Sequence, residues 1–265
     1  MVDLNSALWT AIVAAGDRPG ADSLAAHFEE KSKALIGVGG EAMLSRVVRA
    51  LLASSQIGRV VILSQDGQSL IGRPDTNWLA DHDKVTFATS QSSLSGSIAS
   101  MIGTAAAPWP VLLTTADHPL LTPTIIDYFL AHASDVDLAV GMVDRAVVFA
   151  KFHQSKRTWL EFSNGGFTGA NLFAFHGEKA NAALMLWVEI EARRKSPLAV
   201  LSRFGPWLLF RALTRTISLE SGIRKAGRKL EIRAKPVTIP YAEAAIDVDK
   251  LADHTLAEAI LSGAI

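Results

Sequence analysis

Asp117 stands directly after the apolar run Pro110–Ala116 (PVLLTTA) and before His118-Pro119, which stops the chain from continuing as a strand. A carboxylate at the carboxyl end of a strand is a hard oxygen ligand. It suits Mg²⁺, which keeps several waters and shares phosphate oxygens. An aspartate that caps a turn is the plainer reading of the same residue. His118 reads as a structural neighbour. A second carboxylate set, Asp247 and Asp249, lies in Ala245-Ile246-Asp247-Val248-Asp249-Lys250. Read as a strand, positions i and i+2 share one face, so both carboxylates aim at one site. Asp249 also fits the N-cap of the last helix. Joined to Asp117 across a cleft, this pair makes a metal site for phosphoryl chemistry, which needs positioning and charge neutralisation more than covalent catalysis.

The first apolar run delivers Ala14-Ala15-Gly16-Asp17-Arg18-Pro19-Gly20. Small residues let backbone N–H groups approach a phosphate, and Arg18 adds a charged fork. A surface turn fits the same residues. Lys33, just before Ala34-Leu35-Ile36, reaches an anion across that loop or is simply solvated. The chain has no G-x-G-x-x-G and no Walker A motif, which removes support from dinucleotide-binding and P-loop readings.

These residues need elements to hold them. Runs at Trp9–Ala14, Arg59–Ser64, Lys84–Thr89, Pro110–Ala116 and Asp137–Val143 read as strands. Met43–Ser54 has helical spacing, with Leu44, Val47, Val48 and Leu51 on one face. Ser93–Thr104 reads as a helix, and Thr122-Pro123 opens another that runs to about Ala133. Such βαβ alternation implies a parallel sheet covered on both faces. Ligands then bind outside the carboxyl ends of the strands, where strand order reverses. In the second half, Ala146–His153 and Phe167–Phe175 are expected as strands and Leu230–Ile239 as extended chain. Helices are expected at Lys179–Lys195, Pro197–Leu213, Leu219–Ala226 and Lys250–Leu261.

The composition agrees with a globular chain. Of 265 residues, 49% are hydrophobic and 20% charged. Lys+Arg and Asp+Glu balance at 26 each, which argues against nucleic-acid binding through bulk charge. With no cysteine, a disulfide scaffold, a cysteine nucleophile and a thiolate metal site are excluded. The first basic residue is Arg18, so no charged region precedes an apolar leader, and no uncharged apolar run reaches membrane-span length. A soluble, cytoplasmic protein is the expectation, although the mean hydropathy of +0.24 is high for one.

Together these segments resemble the nucleotidyltransferases with a GT-A-type fold, in particular the MobA-like NTP transferases. Ala11-Ile12-Val13-Ala14-Ala15-Gly16 with Arg18 and Gly20 is similar to that family's L-A-A-G-x-G-x-R-x-G loop. Lys33-Ala34-Leu35 with Val38-Gly39-Gly40 and Met43-Leu44 is similar to its K-x-L-x-x-x-x-G-x-P-M segment. Ser93-Leu94-Ser95-Gly96 resembles S-L-x-x-G. Ala116-Asp117-His118-Pro119 resembles a strand ending in a metal-binding D-x-P, and Ile246-Asp247-Val248-Asp249 with Leu256–Leu261 resembles the terminal D-I-D-T-P-E-D-L-A-L-A-E-A-L. The opening loop lacks the second glycine, Ala42 replaces one family proline and Leu251 another.

The resemblance implies a three-layer, Rossmann-like α/β fold with a mostly parallel mixed sheet and a C-terminal helical elaboration. It implies a single nucleotidyltransferase domain over 1–265. Residues 1–145 would be the nucleotide-binding half, 146–240 the acceptor-binding elaboration, and 241–265 the metal-aspartate strand and closing helix. The implied reaction transfers NMP from an NTP, with CTP and GTP leading, to a small phosphorylated acceptor and releases pyrophosphate. Arg18 and Lys33 would stabilise phosphate charge, and Ala14, Ala15 and Gly16 would bind the nucleotide. Asp117 and Asp249 would hold Mg²⁺ (or Mn²⁺), with Asp247 beside them. Ser93 and Gly96 would lie near the ribose or base.

The stretch Asn164–Asn171 is expected to touch the acceptor through Thr168, Gly169 and Asn171, against a plain hairpin turn. Arg193, Arg194, Lys195 and Arg203 interleave with Leu198, Val200, Leu201, Trp207, Leu208, Leu209 and Phe210. A buried helical hairpin or dimer interface is favoured there over contact with an anionic membrane surface. Two other functions are weighed. A glycosyltransferase of the same fold usually carries D-x-D where Asp117 stands alone. A non-catalytic nucleotide sensor has no need of Arg18, Lys33 and three aspartates together.

Overall fold

The computed structural model describes residues 8–16, 22–91, 93–153, 157–192 and 214–265. Arg18 and the 193–213 segment lie outside the described residues.

An eight-stranded sheet forms the centre. Its strands are β1 (Trp9–Ala14), β4 (Ile57–Ser64), β5 (Val85–Thr89), β6 (Val111–Thr115), β7 (Leu138–Asp144), β8 (Leu160–Phe162), β9 (Gly165–Phe175) and β10 (Ala234–Thr238). A separate two-stranded ribbon pairs β2 (Gly37–Val38) with β3 (Glu41–Ala42). The order across the main sheet is β10-β7-β9-β6-β1-β4-β5, with β8 paired to β9. β1 lies parallel to both β4 and β6, β4 is parallel to β5, and β10 is parallel to β7. β9 runs antiparallel to β6, β7 and β8. The chain thus moves from β1 outward to β4 and β5, then returns to place β6 on the other side of β1. That reversal opens a crevice at Ala14 and Thr115, where an open α/β sheet binds its ligands.

Two helical layers cover the sheet, because alternate strand residues face opposite sides. On one side α2 (Met43–Ala53) and α6 (Pro123–Ala131) cover Ala11, Val13, Ile62 and Leu112. Val47, Val48, Leu51 and Phe129 are fully buried there, each stabilising the fold by about 1.5–3 kcal/mol relative to exposure. Thr122 caps α6, its hydroxyl accepting from the Ile125 N–H at 3.3 Å, and Pro123 opens the first turn without losing a hydrogen bond. On the opposite side α5 (Leu94–Met101) and α8 (Asn181–Ala192) cover Ile12, Val61, Leu63 and Leu113. Further helices are α1 (Ser23–His27), α3 (Gly67–Leu70), α4 (Trp78–Asp81), α7 (Arg145–Lys151), α9 (Leu219–Lys229) and α10 (Leu251–Leu261).

Two expectations are corrected. Ala146–His153 is not a strand but most of α7. Asp144 accepts from the Ala146 N–H at 2.7 Å and caps it, and Val148 alone turns fully inward. Asp247 and Asp249 also do not sit on a strand. Ile246 and Val248 are buried while Asp247 is part-buried and Asp249 exposed, so the alternation is real. Among the described residues no strand pairs with this segment: the chain has left β10 at Thr238 and made a 3₁₀ turn at Ala242–Ala245. The 246–250 segment is an extended loop.

Candidate active site

Lys33 opens a 3₁₀ turn (Lys33–Leu35) whose cap is the Ser32 hydroxyl, accepting from the Ala34 N–H at 3.3 Å. Distant groups fix this turn and the ribbon after it. Arg73 donates to the Leu35 carbonyl at 3.0 Å while pairing with Glu30 and Asp75. Asp75 in turn accepts from the Ala42 N–H at 2.8 Å. Glu258 of α10 accepts from the Gly39 N–H at 2.8 Å, and His254 Nε2 lies 2.8 Å from the Gly37 carbonyl. The closing helix therefore holds the ribbon that follows Lys33.

Asp117 follows the end of β6 by two residues, and the Arg46 guanidinium of α2 ties down the loop after it by donating to the Pro119 carbonyl at 3.1 Å. Lys33 Nζ donates to Asp117 Oδ2 at 2.7 Å and pairs with Asp249 Oδ1 as well. The side chains of Lys33 and Asp117 are 17% and 21% exposed, so this contact is largely withdrawn from solvent. Burial opposes the lysine charge, but Asp117 and Asp249 outweigh it and raise the Lys33 pKa above its ordinary value. One oxygen from each of Asp117, Asp247 and Asp249 lies within 4.8 Å of the others.

Asp247 has partners of its own. Arg157, only 9% exposed, pairs with Asp247 Oδ1 and donates from Nη2 to the Asp247 carbonyl at 2.8 Å. Asn171 Nδ2 donates to Asp247 Oδ2 at 3.1 Å. Asn171 adopts φ 51° beside an irregularity in the β7–β9 register, a left-handed conformation that asparagine tolerates better than most residues. His118 is 1% exposed, and neither ring nitrogen makes a well-formed hydrogen bond, although the Glu243 backbone lies close. Burial holds its pKa below the ordinary value against the pull of Asp247 and Asp117.

The expected residues are partly brought together. Lys33, Asp117, Asp247, Asp249 and Asn171 converge. Ala14, Ala15 and Gly16 lie at the mouth of the same crevice, with the Ala116 N–H donating to the Ala14 carbonyl at 3.0 Å. A Cβ on Gly16 would come within 2.8 Å of the Gln65 side chain, so the glycine allows a close approach. Thr168 and Gly169 are held in the sheet opposite Val143 and Met142, and neither has a hydrogen bond to the carboxylate cluster.

Ser93 caps α5, its hydroxyl accepting from the Gly96 N–H at 3.1 Å. Glu191 of α8 occupies this same helix end and accepts from the Ser95 N–H at 2.9 Å and the Ser93 hydroxyl at 3.2 Å. Burial pushes the Glu191 pKa up, but these hydrogen bonds and the Leu94 backbone more than offset it and hold the pKa below the usual range. Arg157 and Glu191 escaped the sequence reading. Each looks like an ordinary solvated charge, and only the folded chain sets one beside Asp247 and the other on α5.

Asp117 Oδ1 is buried and has no hydrogen-bond partner among the described residues. A buried carboxylate oxygen without a donor is costly unless a cation or donor completes it. One oxygen from each of Asp117, Asp247 and Asp249 makes a hard donor set that suits Mg²⁺ or Mn²⁺ rather than a soft metal.

A doubly covered, mostly parallel sheet with carboxylates and a lysine at its switch point is the architecture of a nucleotidyltransferase. The chain belongs to the MobA-like NTP transferase domain family, whose model matches residues 11–231. No curated protein matches the sequence. Among solved structures, it is similar to a hypothetical transferase from Thermus thermophilus, with 27% identity and a TM-score of 0.75 over 93% of this chain and 99% of that one. A 4-diphosphocytidyl-2C-methyl-D-erythritol synthase from Anaerococcus prevotii shares the fold at 10% identity and a TM-score of 0.59, covering 98% of each chain. A CMP:2-keto-3-deoxy-manno-octonic acid synthetase complexed with CTP does so at 12% identity and a TM-score of 0.55, covering 97% of this chain and 100% of that one. Among the described residues no helix is long and apolar enough to cross a membrane.

Proposed function

We propose that this nucleotidyltransferase moves CMP from CTP onto the phosphate of a small acceptor and releases pyrophosphate. The observation that carries this reading is the convergence of Lys33, Asp117, Asp247 and Asp249 on the crevice beside β1. The described neighbours whose names specify a nucleotide name a cytidine one, which favours CTP over GTP.

In this reading residues 1–145 bind the nucleotide, 146–240 receive the acceptor, and 241–265 bring Asp247 and Asp249 to Asp117. Ala14, Ala15 and Gly16 bring backbone close to the phosphates. Ser93 and Gly96 lie on the ribose or base side, and Arg18 joins Lys33 as a phosphate-binding cation. Thr168, Gly169 and Asn171 face the acceptor. An acceptor phosphate oxygen forms a bond to the α-phosphorus as the bond from that phosphorus to the β-phosphate oxygen breaks, and the electron pair leaves with pyrophosphate. The acceptor phosphate is already ionised, so no strong base is required. Lys33 stays protonated at neutral pH and offsets the charge that develops on the phosphates. Asp117, Asp249 and Asp247 would hold a divalent cation, which when bound neutralises phosphate charge. Arg157 and Asn171 keep Asp247 oriented.

The test is a thermal-shift panel of the four NTPs with Mg²⁺, followed by pyrophosphate release against pooled phosphorylated metabolites. A CTP-specific shift with acceptor-dependent pyrophosphate release is expected. Transfer of a sugar from an NDP-sugar without pyrophosphate would overturn the reading.

A further inference from the structure

A cavity of about 440 Å³ opens beside the carboxylate cluster, on the face of the sheet covered by α5 and α8. Ala14, Thr115 and Asn171 are among its lining residues. Its walls are the side chains of Leu138, Val140, Phe173 and Phe175 from the sheet and Leu184 and Trp187 from α8. The volume lies at the small end of the range for organic-ligand pockets, roughly 300–1,000 Å³. The lining is mostly apolar, with Thr114, Thr115 and Asn171 as the polar residues among the described ones. Asn171 belongs to both places: it lines the cavity, and its amide donates to Asp247 at 3.1 Å. Thr115 shares a face with Leu113, and its buried hydroxyl has no hydrogen-bond partner among the described residues.

We propose that this cavity receives the body of the acceptor, and that the acceptor is a phosphomonoester of a mainly hydrocarbon alcohol rather than of a sugar or polyol. The proposal rests on the nucleotidyltransferase reading for the phosphate end. The phosphate stays at the carboxylate cluster while the apolar body extends past Asn171 toward Trp187 and Phe173. One polar group near the phosphate fits the free hydroxyl of Thr115. A polyol body would carry several hydroxyls into a space whose polar groups among the described residues are the Thr114 and Thr115 hydroxyls and the Asn171 amide, and each hydroxyl left unpaired would weaken binding about tenfold. Asn171, Phe173, Phe175, Ala183, Leu184 and Trp187 come from the 146–240 region assigned to the acceptor, the rest of the lining comes from residues before 146, and β4 and β5 contribute none.

The test uses the full chain with MgCl₂ and titration calorimetry. The probes are benzyl phosphate and 3-methylbutyl phosphate against glycerol 3-phosphate, with CTP titrated separately. Both apolar phosphates are expected to bind at least about tenfold more tightly than glycerol 3-phosphate. Ala183→Phe, which fills the cavity from α8, is expected to weaken benzyl phosphate by about tenfold or more and leave CTP within about twofold. Trp187→Ala, which strips one wall, should also weaken benzyl phosphate and serves if Ala183→Phe does not fold. Glycerol 3-phosphate binding as tightly as the apolar probes would overturn the proposal. So would a loss of CTP rather than benzyl phosphate in these variants, which would make the cavity a nucleobase site. If CTP and the other NTPs fail to bind while benzyl phosphate binds with the expected selectivity, the cavity assignment stands and the nucleotidyl-transfer reading falls.

Discussion

The backbone N–H of Val248 donates to the carbonyl oxygen of Asp117 at 2.9 Å. This bond fastens the loop that carries Asp247 and Asp249 to the end of β6, so carboxylates from the middle and the end of the chain meet without a shared strand. Lys33 closes the group from a third segment.

Asp117→Ala and Asp249→Ala should each lower turnover by about 10²–10³-fold or more and preserve the circular dichroism spectrum. Asp249 is more than half exposed and contributes little packing, so its loss should not disturb the fold. Pyrophosphate release measures the effect, and full activity in either variant would remove these carboxylates from the mechanism.

Lys33 sits as an internal cation between Asp117 and Asp249. Lys33→Met removes that competitor, so Mg²⁺ added without nucleotide should bind more tightly than to the wild type, while turnover falls. Calorimetric titration with MgCl₂ reads the first effect. Unchanged or weaker Mg²⁺ binding would show that Lys33 does not occupy cation space. The raised Lys33 pKa adds stability that is fully present below about pH 10.5 and lost as pH rises through the higher folded value.

Arg157→Met should destabilise the protein by about 3 kcal/mol, because it leaves the partly buried Asp247 without its main counter-charge. Urea unfolding measures this. Adding Asp247→Asn should restore part of the loss, since the uncompensated charge then disappears. A single variant as stable as the wild type would mean that the pair is a surface contact without structural weight.

Acid should weaken the fold in a window set by His118. Its folded pKa is depressed by burial, so the unfolded chain binds more protons between the folded value and about 6.5. Stability should fall as pH drops below about 6.5, by up to about 1.4 kcal/mol per pH unit for this imidazole, and level off once pH passes below the folded value. His176, also depressed by burial, acts in the same direction. His118→Gln should flatten the slope measured by urea unfolding between pH 7 and 5. An unchanged slope would show that His118 titrates normally in the folded chain.

Part of the fold is legible along the chain for a local reason. β1 is apolar apart from the buried Thr10 because a central parallel strand is covered on both faces, and its bounds match the run Trp9–Ala14. Thr122-Pro123 announces α6, because an N-cap hydroxyl and a first-turn proline act within four residues. Ala146–His153 misleads because its helix is decided by the Asp144 cap and by sheet positions already filled, while its apolar pattern alone suits a strand.

The same division runs through the site. Residue type and position relative to a strand end were enough to select Asp117, Asp247, Asp249 and Lys33, since the chemistry of a hard-ligand cluster is written in side-chain identity. Their meeting is a matter of topology: β6 must insert beside β1, and α10 must clamp the ribbon after Lys33, before these charges share one crevice. The cavity toward Trp187, the Arg157 clamp and the seat of Glu191 on α5 exist only in the folded chain. Each is made by surfaces far apart in sequence, and no local pattern encodes the distance between them.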